Sequence, residues 1–231
     1  MADGSGQGTI ETTALIVAAG SGERLGAGGP KALVEVAGRP LYRWSLDACR
    51  RSTRIGPIVI AVPPGRSGEF ADEDVIPVDG GRVRSESVAA GLAEVRTEFV
   101  LVHDAARPLV TPDLIDRVIF ALEIEPDVDA VIAAAPVTDT VKRVDAEGVV
   151  SATLDRAELR SIQTPQVFRT EALRRAIEGG DLENATDDAF LIESAGGRVS
   201  VFDAPPTNIK VTVAADVAMA EFLLAHSPDA P

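Results

Sequence analysis

A buried strand that runs into a glycine-rich loop is the first part of this chain whose residue types could do chemistry. From Leu15 to Gly26 the sequence reads LIVAAGSGERLG, and Pro30-Lys31 follows. Small residues let backbone N–H groups approach an anion closely, and a helix that begins after the loop adds the positive end of its dipole. Arg24 and Lys31 stand at either end of a flexible stretch, where they could neutralise charge developing on a phosphorus centre. The segment predicts a phosphate-binding loop.

Two common phosphate-binding patterns come close to this segment, and neither fits it. The dinucleotide fingerprint Gly-x-Gly-x-x-Gly needs a third glycine where this chain has Leu25. A P-loop needs Gly-Lys-Ser/Thr, whereas Lys31 follows Pro30 and precedes Ala32. On the glycines alone a tight turn is a reasonable alternative. The two basic residues at this spacing favour the phosphate loop.

A second glycine-containing block reads DGGRVRSESV and begins at Asp79. Gly80 and Gly81 come just before a predicted helix, and Ser87 follows inside it. Glycines before a helix N-terminus allow close contact with a ligand, and here they suit a nucleoside. The alternative is an ordinary glycine turn at the start of a helix.

A third block, HDAARP from His103 to Pro108, comes directly after a predicted strand. Ligands of open α/β sheets bind beyond the carboxyl ends of the strands, and an aspartate there can hold Mg²⁺ against triphosphate oxygens. Asp104 is therefore a candidate metal ligand, with a loop or helix-capping role as the alternative. We expect His103 to be structural.

Strands and helices alternate along most of the chain. This order predicts an α/β fold, a Rossmann-like and mostly parallel sheet with helices on both faces. We expect one domain over 12–226, with a disordered tail at 1–11 and a short tail at 227–231. In the last helix, Val217, Ala218, Phe222 and Leu223 have helical spacing and are expected to be core. The expected strands are 13–18, 57–62, 75–78, 98–102, 130–134, 198–202 and 209–212, and the expected helices are 40–51, 85–95, 112–122, 170–177, 187–194 and 214–225.

The alternation changes between about 137 and 160, where the pattern predicts a β-hairpin. Two short segments, 141–144 and 149–154, flank residues 145–148, which offer a turn signal in Glu147-Gly148. From the pattern alone, the hairpin is either a surface feature of no consequence or an arm that reaches a partner subunit.

Composition excludes several classes of function. The chain has 231 residues and a formal net charge of −14, which argues against nucleic-acid binding because that requires a basic face. No apolar run approaches the length of a membrane span, and the N-terminal residues do not resemble a signal peptide. A single cysteine, Cys49, excludes an internal disulfide framework and is expected to be a buried hydrophobe. These features fit a reducing, cytoplasmic setting.

The loop with its Pro-Lys pair resembles the signature of the sugar-nucleotide and alditol-nucleotide pyrophosphorylases. Within that superfamily the chain, from about Ala14 to Leu224, is similar to the 2-C-methyl-D-erythritol 4-phosphate cytidylyltransferase family. The resemblance implies a nucleotidyltransferase that joins CMP from CTP to 2-C-methyl-D-erythritol 4-phosphate in the non-mevalonate isoprenoid pathway. It also implies Mg²⁺ as cofactor and a homodimer whose arm crosses to the second subunit.

The resemblance implies a role for residues in each block. Arg24 and Lys31 would stabilise the transition state, Arg156 and Lys210 would align the acceptor phosphate, and Asp104 would hold Mg²⁺. The implied substrate-binding residues are Ala18, Ala19, Gly20, Gly22, Gly81, Ser87, Ala105, Arg107, Thr140 and Thr164. The chain departs from many relatives in having Ala32 after the Pro-Lys pair, and from some in having Thr207, rather than an acidic residue, before Asn-Ile-Lys.

If the nucleophile is a phosphate monoester, the reaction needs no side chain as general base or nucleophile. A chain with only two histidines and one cysteine could therefore catalyse it. The second pKa of such a phosphate is near ~6, so the phosphate is mostly dianionic at neutral pH and needs no general base. Three alternatives stay open: another acceptor such as ribitol 5-phosphate or another nucleotide, a non-catalytic nucleotide-binding module, and a nicotinamide dehydrogenase. Leu25 disfavours the last of these.

Overall fold

A computed structural model describes residues 11–26, 28–70 and 72–226, without the side chain of Arg24. Of the expected tails at 1–11 and 227–231, all residues except Glu11 lie outside the described part of the chain. The strands are β1 (Thr12–Val17), β2 (Glu35–Val36), β3 (Arg39–Pro40), β4 (Ile55–Val62), β5 (Val75–Asp79), β6 (Phe99–Asp104), β7 (Ala130–Pro136), β8 (Lys142–Val144), β9 (Val150–Thr153), β10 (Arg160–Arg169) and β11 (Val199–Asp203). The α-helices are α1 (Leu41–Arg51), α2 (Arg84–Leu92), α3 (Pro112–Glu123), α4 (Thr170–Gly179), α5 (Asp188–Ser194) and α6 (Ala214–His226).

Seven of these strands form one sheet in the order β11-β7-β10-β6-β1-β4-β5. Every neighbouring pair is parallel except the two pairs made by β10, which is antiparallel to both β6 and β7. The expected mostly parallel sheet is therefore confirmed. β10 itself was not predicted, because its middle reads Gln163-Thr164-Pro165-Gln166 and lacks the apolar run of a central strand. The pairing with β7 shifts register there, where a proline has no N–H to donate.

The helices cover both faces of the sheet, as the alternation predicted. Leu15 and Ile16 are adjacent in β1 and both fully buried, but they belong to different hydrophobic clusters because successive strand residues point to opposite faces. The cluster that contains Ile16 includes residues of α1 and α3, and the one that contains Leu15 includes residues of α2, α4 and α5. Cys49 is fully buried, and burial raises the pKa of its thiol to about 12, which confirms it as a hydrophobic core residue.

The local signals for individual elements were mostly confirmed to within a few residues at each end. Thr111, for example, caps α3 as expected, with its hydroxyl oxygen accepting from the Leu114 N–H at 3.2 Å and Pro112 in the first position. The strand expected at 209–212 is wrong. Its backbone hydrogen bonds run from Ile209 N to Thr207 O at 2.7 Å and from Val211 N to Ala106 O at 2.8 Å, and the segment does not join the sheet.

The face of α6 that packs inward matches the expected one only in part, since Val217 contacts the core and Leu223 is half-buried. Ala218 and Phe222 are exposed, whereas Ala220 and Leu224 are buried. The helix is apolar on several sides, so its composition does not identify the inner face. The inner face is determined by the surface against which α6 packs. That surface is a small cluster formed by Val36, Leu41, Trp44 and Val211.

The hairpin expected in the middle of the chain is present as the antiparallel pair β8 and β9. Asp145 closes its turn by accepting hydrogen bonds from Glu147 N and Val149 N, and Gly148 adopts a φ of 82° that favours glycine. Val149 and Val150 are more than half exposed on it. Across the described part of the chain, no helix is long and apolar enough to cross a membrane.

Candidate functional site

A cavity of about 600 Å³ opens at the carboxyl ends of β1, β5 and β6. This is the edge where an open α/β sheet binds its ligands. The structure brings ten of the residues singled out from the sequence to this cavity. They are Ala18, Ala19, Gly20, Gly22, Lys31, Gly81, Ser87, Asp104, Ala105 and Lys210.

The glycine-rich loop folds back on itself beside the cavity. Lys31 N donates to Gly20 O at 3.0 Å, which returns the lysine to the start of the loop. Gly22 has a φ of 76°, and a Cβ there would lie 2.8 Å from Gly29 O. Only glycine therefore fits this position without moving the backbone. Arg24 lies in the 3₁₀ helix Glu23–Leu25, and its side chain is outside the described part of the structure.

The second glycine block packs directly against that loop. Gly80 N donates to Val62 O at 2.7 Å, and a Cβ on Gly80 would come within 2.6 Å of the Ala19 Cβ. Gly81 N donates to the hydroxyl oxygen of Ser87 at 3.1 Å. The block and the loop thus form two adjacent walls of one cavity, and close approach of the two backbones requires the glycine.

Asp104 is an ionised carboxylate between two cations. Its Oδ1 accepts from Arg84 Nε at 2.9 Å and its Oδ2 from Lys210 Nζ at 2.6 Å, while only 6% of the residue is exposed. Burial by itself would raise the pKa of Asp104, but Arg84 and Lys210 lower it well below its ordinary value. The carboxylate is therefore ionised at neutral pH.

Arg84 belongs to the second glycine block, and nothing in the sequence around it indicates a role. Besides Asp104 it contacts Asp188, with Nη1 2.6 Å from Oδ2. Burial acts to lower the pKa of Arg84, and the two carboxylates outweigh it and raise the pKa. Asp188 is fully buried and 104 residues away in the chain. No sequence signal could have paired them.

His103 lies beneath this charged group and is held on both sides. Its Nδ1 is 3.0 Å from the Thr164 hydroxyl, and its Nε2 is 3.3 Å from Arg107 O. The residue is fully buried, and burial lowers the pKa of the imidazole to about 4. The ring is therefore neutral at neutral pH and borders neither of the cavities described here.

A second cavity, of about 320 Å³, lies on the other side of Asp104. Arg107 and Thr164 line it, so the structure places these two predicted site residues here and not over the glycine loop. Arg107 is 8% exposed and donates from Nη1 to Asn208 O at 2.8 Å; its Nε has no partner among the described residues. The three residues that border both cavities are Arg84, Asp104 and Lys210.

Thr140 and Arg156 are not brought to either cavity within this chain. Both are exposed near the hairpin, and Arg156 donates from Nη1 to Thr138 O at 2.6 Å. Any role for them in the site requires a second chain or a movement of the hairpin.

The residues present fit a divalent cation held largely by a bound triphosphate. No group of three or more His, Cys, Asp or Glu side chains suited to a metal occurs within 11–26, 28–70 and 72–226. Thr207 is exposed and supplies no carboxylate. Mg²⁺ is commonly bound by one or two carboxylates together with substrate phosphates and water. Asp104, the ionised carboxylate at this junction, matches that donor set.

Comparison with known proteins gives one consistent family. The model of the 2-C-methyl-D-erythritol 4-phosphate cytidylyltransferase (IspD) family matches residues 12–226. A protein of that name from Synechococcus sp. (strain CC9902) is 45% identical over 220 residues, covering 91% of this chain and 96% of the relative. A protein of the same name from Saccharopolyspora erythraea is 42% identical over 228 residues, covering 94% of this chain and 100% of the relative.

Solved structures agree with the sequence comparison. The 4-diphosphocytidyl-2C-methyl-D-erythritol synthase from Anaerococcus prevotii DSM 20548 superposes with a TM-score of 0.81 at 29% identity, covering 94% of this chain and 97% of that one. The 2-C-methyl-D-erythritol 4-phosphate cytidylyltransferase from Thermus thermophilus gives a TM-score of 0.77 at 33% identity, covering 93% and 98%. Fold, length and sequence therefore point to the same group of enzymes.

Proposed function

This chain belongs to the 2-C-methyl-D-erythritol 4-phosphate cytidylyltransferase family, and we propose that it transfers CMP from CTP to 2-C-methyl-D-erythritol 4-phosphate. The products are 4-diphosphocytidyl-2-C-methyl-D-erythritol and pyrophosphate. The observation that carries this proposal is the junction of the two cavities, where Arg84, Asp104 and Lys210 border both. A donor nucleotide on one side and an acceptor phosphate on the other would meet at these charges.

CTP occupies the larger cavity in this proposal. Its phosphates lie along the glycine-rich loop, beside backbone N–H groups and the Lys31 ammonium, and its cytidine lies near Gly81 and Ser87. Two features support this arrangement: the loop requires glycine at Gly22, and Lys31 returns to Gly20. By family resemblance, Arg24 adds a second cation to the phosphates.

The reaction is an in-line displacement at the α-phosphorus of CTP. An oxygen of the acceptor phosphate forms the new bond to that phosphorus, the bond to the β-phosphate oxygen breaks, and pyrophosphate leaves with the electron pair. The acceptor is mostly dianionic, since its second pKa is near ~6, and it needs no general base. This agrees with a neutral, fully buried His103. Catalysis then consists of positioning and of charge stabilisation by Arg24, Lys31 and Lys210.

Asp104 is the residue that would hold Mg²⁺. When bound, the cation would neutralise triphosphate oxygens and help to orient them. The chain's own contribution is an ionised carboxylate fixed between Arg84 and Lys210.

The acceptor site uses residues of two subunits in this proposal. Arg107 and Thr164 of one chain line the smaller cavity, while Thr140 and Arg156 would come from the hairpin of a partner in a homodimer. The exposed valines of the hairpin support this role, because apolar side chains on a protruding arm suit burial against another chain. The homodimer is expected to work in the cytoplasm, where Cys49 stays reduced.

Pyrophosphate release tests the proposal directly. Each of the four nucleoside triphosphates is supplied with either 2-C-methyl-D-erythritol 4-phosphate or ribitol 5-phosphate. We expect rapid release only with CTP and the methylerythritol phosphate. Faster release with ribitol 5-phosphate would reassign the acceptor, and no release with any pair would contradict the proposed activity.

A further inference from the structure

Asp188 is a carboxylate that lies behind the junction of the two cavities and lines neither of them. It is the first residue of α5 and is fully buried. Its Oδ2 accepts from Arg84 Nη1 at 2.6 Å, while its Oδ1 has no hydrogen-bond partner among the described residues. Burying a carboxylate costs desolvation free energy unless a cation pairs with it. The ion pair with Arg84 therefore offsets the cost of burying Asp188.

The helix that carries Asp188 is firmly anchored. Asp187 caps it by accepting from Phe190 N at 2.9 Å, and Ala189, Leu191 and Ile192 are each no more than 2% exposed. Arg84, by contrast, extends from α2 and its side chain is 27% exposed. The rigid partner in this pair is therefore the aspartate, and the arginine is the side chain that it holds.

We propose that Asp188 is a positioning residue for the transfer reaction, which holds Arg84 so that Arg84 fixes the Asp104 carboxylate at the junction of the two cavities. The guanidinium is planar, so bonds from Nε to Asp104 and from Nη1 to Asp188 together define its plane. This inference rests on the proposed function, because it assigns a role in that reaction.

Lys210 does not replace this support. It contacts the other oxygen of Asp104, but its ammonium lies at the end of a flexible stem and its side chain is 41% exposed. With Asp188 removed, both remaining partners of Asp104 could move, and the carboxylate would lose its fixed orientation. A displacement of about 1 Å at a reacting centre can cost ~10²-fold in rate.

A purely structural role for Asp188 makes a different prediction. An acidic residue in the first turn of a helix stabilises it through the helix dipole. If that were the whole role, Asp188→Asn would lower the melting temperature and leave kcat per folded molecule unchanged. The two roles therefore separate when activity is normalised to folded enzyme.

The experiment measures pyrophosphate release from CTP and 2-C-methyl-D-erythritol 4-phosphate by wild type, Asp188→Asn, Arg84→Lys and the double variant. We expect Asp188→Asn to lower kcat per folded molecule by ~10- to 100-fold, with a smaller change in the KM for CTP. Arg84→Lys keeps a cation beside Asp188 but replaces the planar guanidinium by a flexible ammonium, which does not hold the two carboxylates in one fixed geometry, and it should lose a similar factor. Because both variants break one linkage, adding Asp188→Asn to Arg84→Lys should change kcat by less than about twofold.

Asp113→Asn is the matched control, since Asp113 is also acidic, also lies in the first turn of a helix, is exposed and lines neither cavity. It should leave kcat unchanged. The proposal is overturned if Asp188→Asn or Arg84→Lys keeps wild-type kcat, or if the two losses multiply in the double variant. If Asp188→Asn does not fold, a wild-type kcat in Arg84→Lys still overturns the proposal. A wild-type enzyme that releases no pyrophosphate contradicts the proposed function instead.

Discussion

The ammonium nitrogen of Lys210 lies 2.6 Å from Oδ2 of Asp104, although the two residues are 106 positions apart in the chain. The pair stands at the point that both cavities share. A phosphate entering the smaller cavity would therefore meet a cation already placed beside the carboxylate. In the proposed reaction, this cation would help an anionic acceptor to approach an anionic nucleotide.

Replacing Lys210 by Met should lower kcat by ~10²-fold, because one preorganised cation is lost and the Asp104 carboxylate is left to repel the acceptor phosphate. The KM for the acceptor should rise more than the KM for CTP. Steady-state pyrophosphate release with each substrate varied in turn measures both effects. Lys210→Arg should recover part of kcat, and unchanged kinetics in Lys210→Met would remove this residue from the reaction.

Lys31→Ala should reduce kcat by ~10²-fold or more, the scale of one lost preorganised donor at a charged transition state. Arg117→Ala is the control, since Arg117 is an exposed cation on α3, away from both cavities. Turnover is followed by pyrophosphate release, and circular dichroism checks the fold. Near-normal turnover in Lys31→Ala would exclude the assigned role.

Gly22→Ala should raise the KM for CTP by more than ~10-fold, because distortion of the loop misplaces the backbone donors for the phosphates. The added Cβ would lie 2.8 Å from Gly29 O and 3.1 Å from the Lys31 Cα, so the loop has to move. Gly65→Ala is a matched control: its φ of 73° is similar, but a Cβ there meets nothing within 4 Å. Equal kinetic effects of the two substitutions would show that backbone strain alone, and not the clash, is responsible.

Mixed dimers test whether the site is shared between subunits. Lys31→Ala and Arg156→Ala should each inactivate a homodimer, but a heterodimer of the two keeps one site with both wild-type residues. Random mixing forms heterodimers in about half of the dimers, each with one of two sites intact, so about a quarter of wild-type activity should return. If mixing after subunit exchange restores nothing, Arg156 does not act across a dimer.

His103 should make the protein less stable as the pH falls from about 6.5 towards 4. The folded pKa, about 4, is below the ordinary value of 6.5, so the unfolded chain binds the proton first over this range. The contribution to the free energy of unfolding is about 3 kcal/mol at neutral pH and is lost through this window. Urea unfolding at several pH values measures it. A His103→Gln variant should show a flatter profile, and an equally steep one would assign the effect to other groups.

Local chemistry explains why the glycine-rich loop was predictable. The small residues, Gly22 and the return to Lys31 lie within 17 consecutive residues, and the backbone requirements of a tight loop are visible in residue type. The same holds for the Thr111 cap of α3 and for the turn at Gly148. In each of these three features, the residues that interact are close together in the sequence.

The sequence predictions that were wrong concern features that depend on how helices and strands pack against each other. The sequence predicts Val217, Ala218, Phe222 and Leu223 as the buried face of α6. Val217 does pack inward, but Ala218 and Phe222 are exposed, and the buried positions are Ala220 and Leu224, which contact a cluster drawn mainly from the first fifty residues. Strand β10 was missed because Thr164 and Pro165 interrupt its apolar pattern, while its two neighbours supply the hydrogen bonds that make it a strand.

The sequence by itself determined the order of strands and helices, the loop between Leu15 and Lys31, and the likeness to a family of cytidylyltransferases. Tertiary structure alone decided that Asp104 is paired with both Arg84 and Lys210, that Asp188 lies behind Arg84, and that these charges separate two cavities. The reason is physical. Periodicity and turn chemistry act over a few residues, whereas an ion pair between positions about a hundred apart exists only once the elements that carry them have packed.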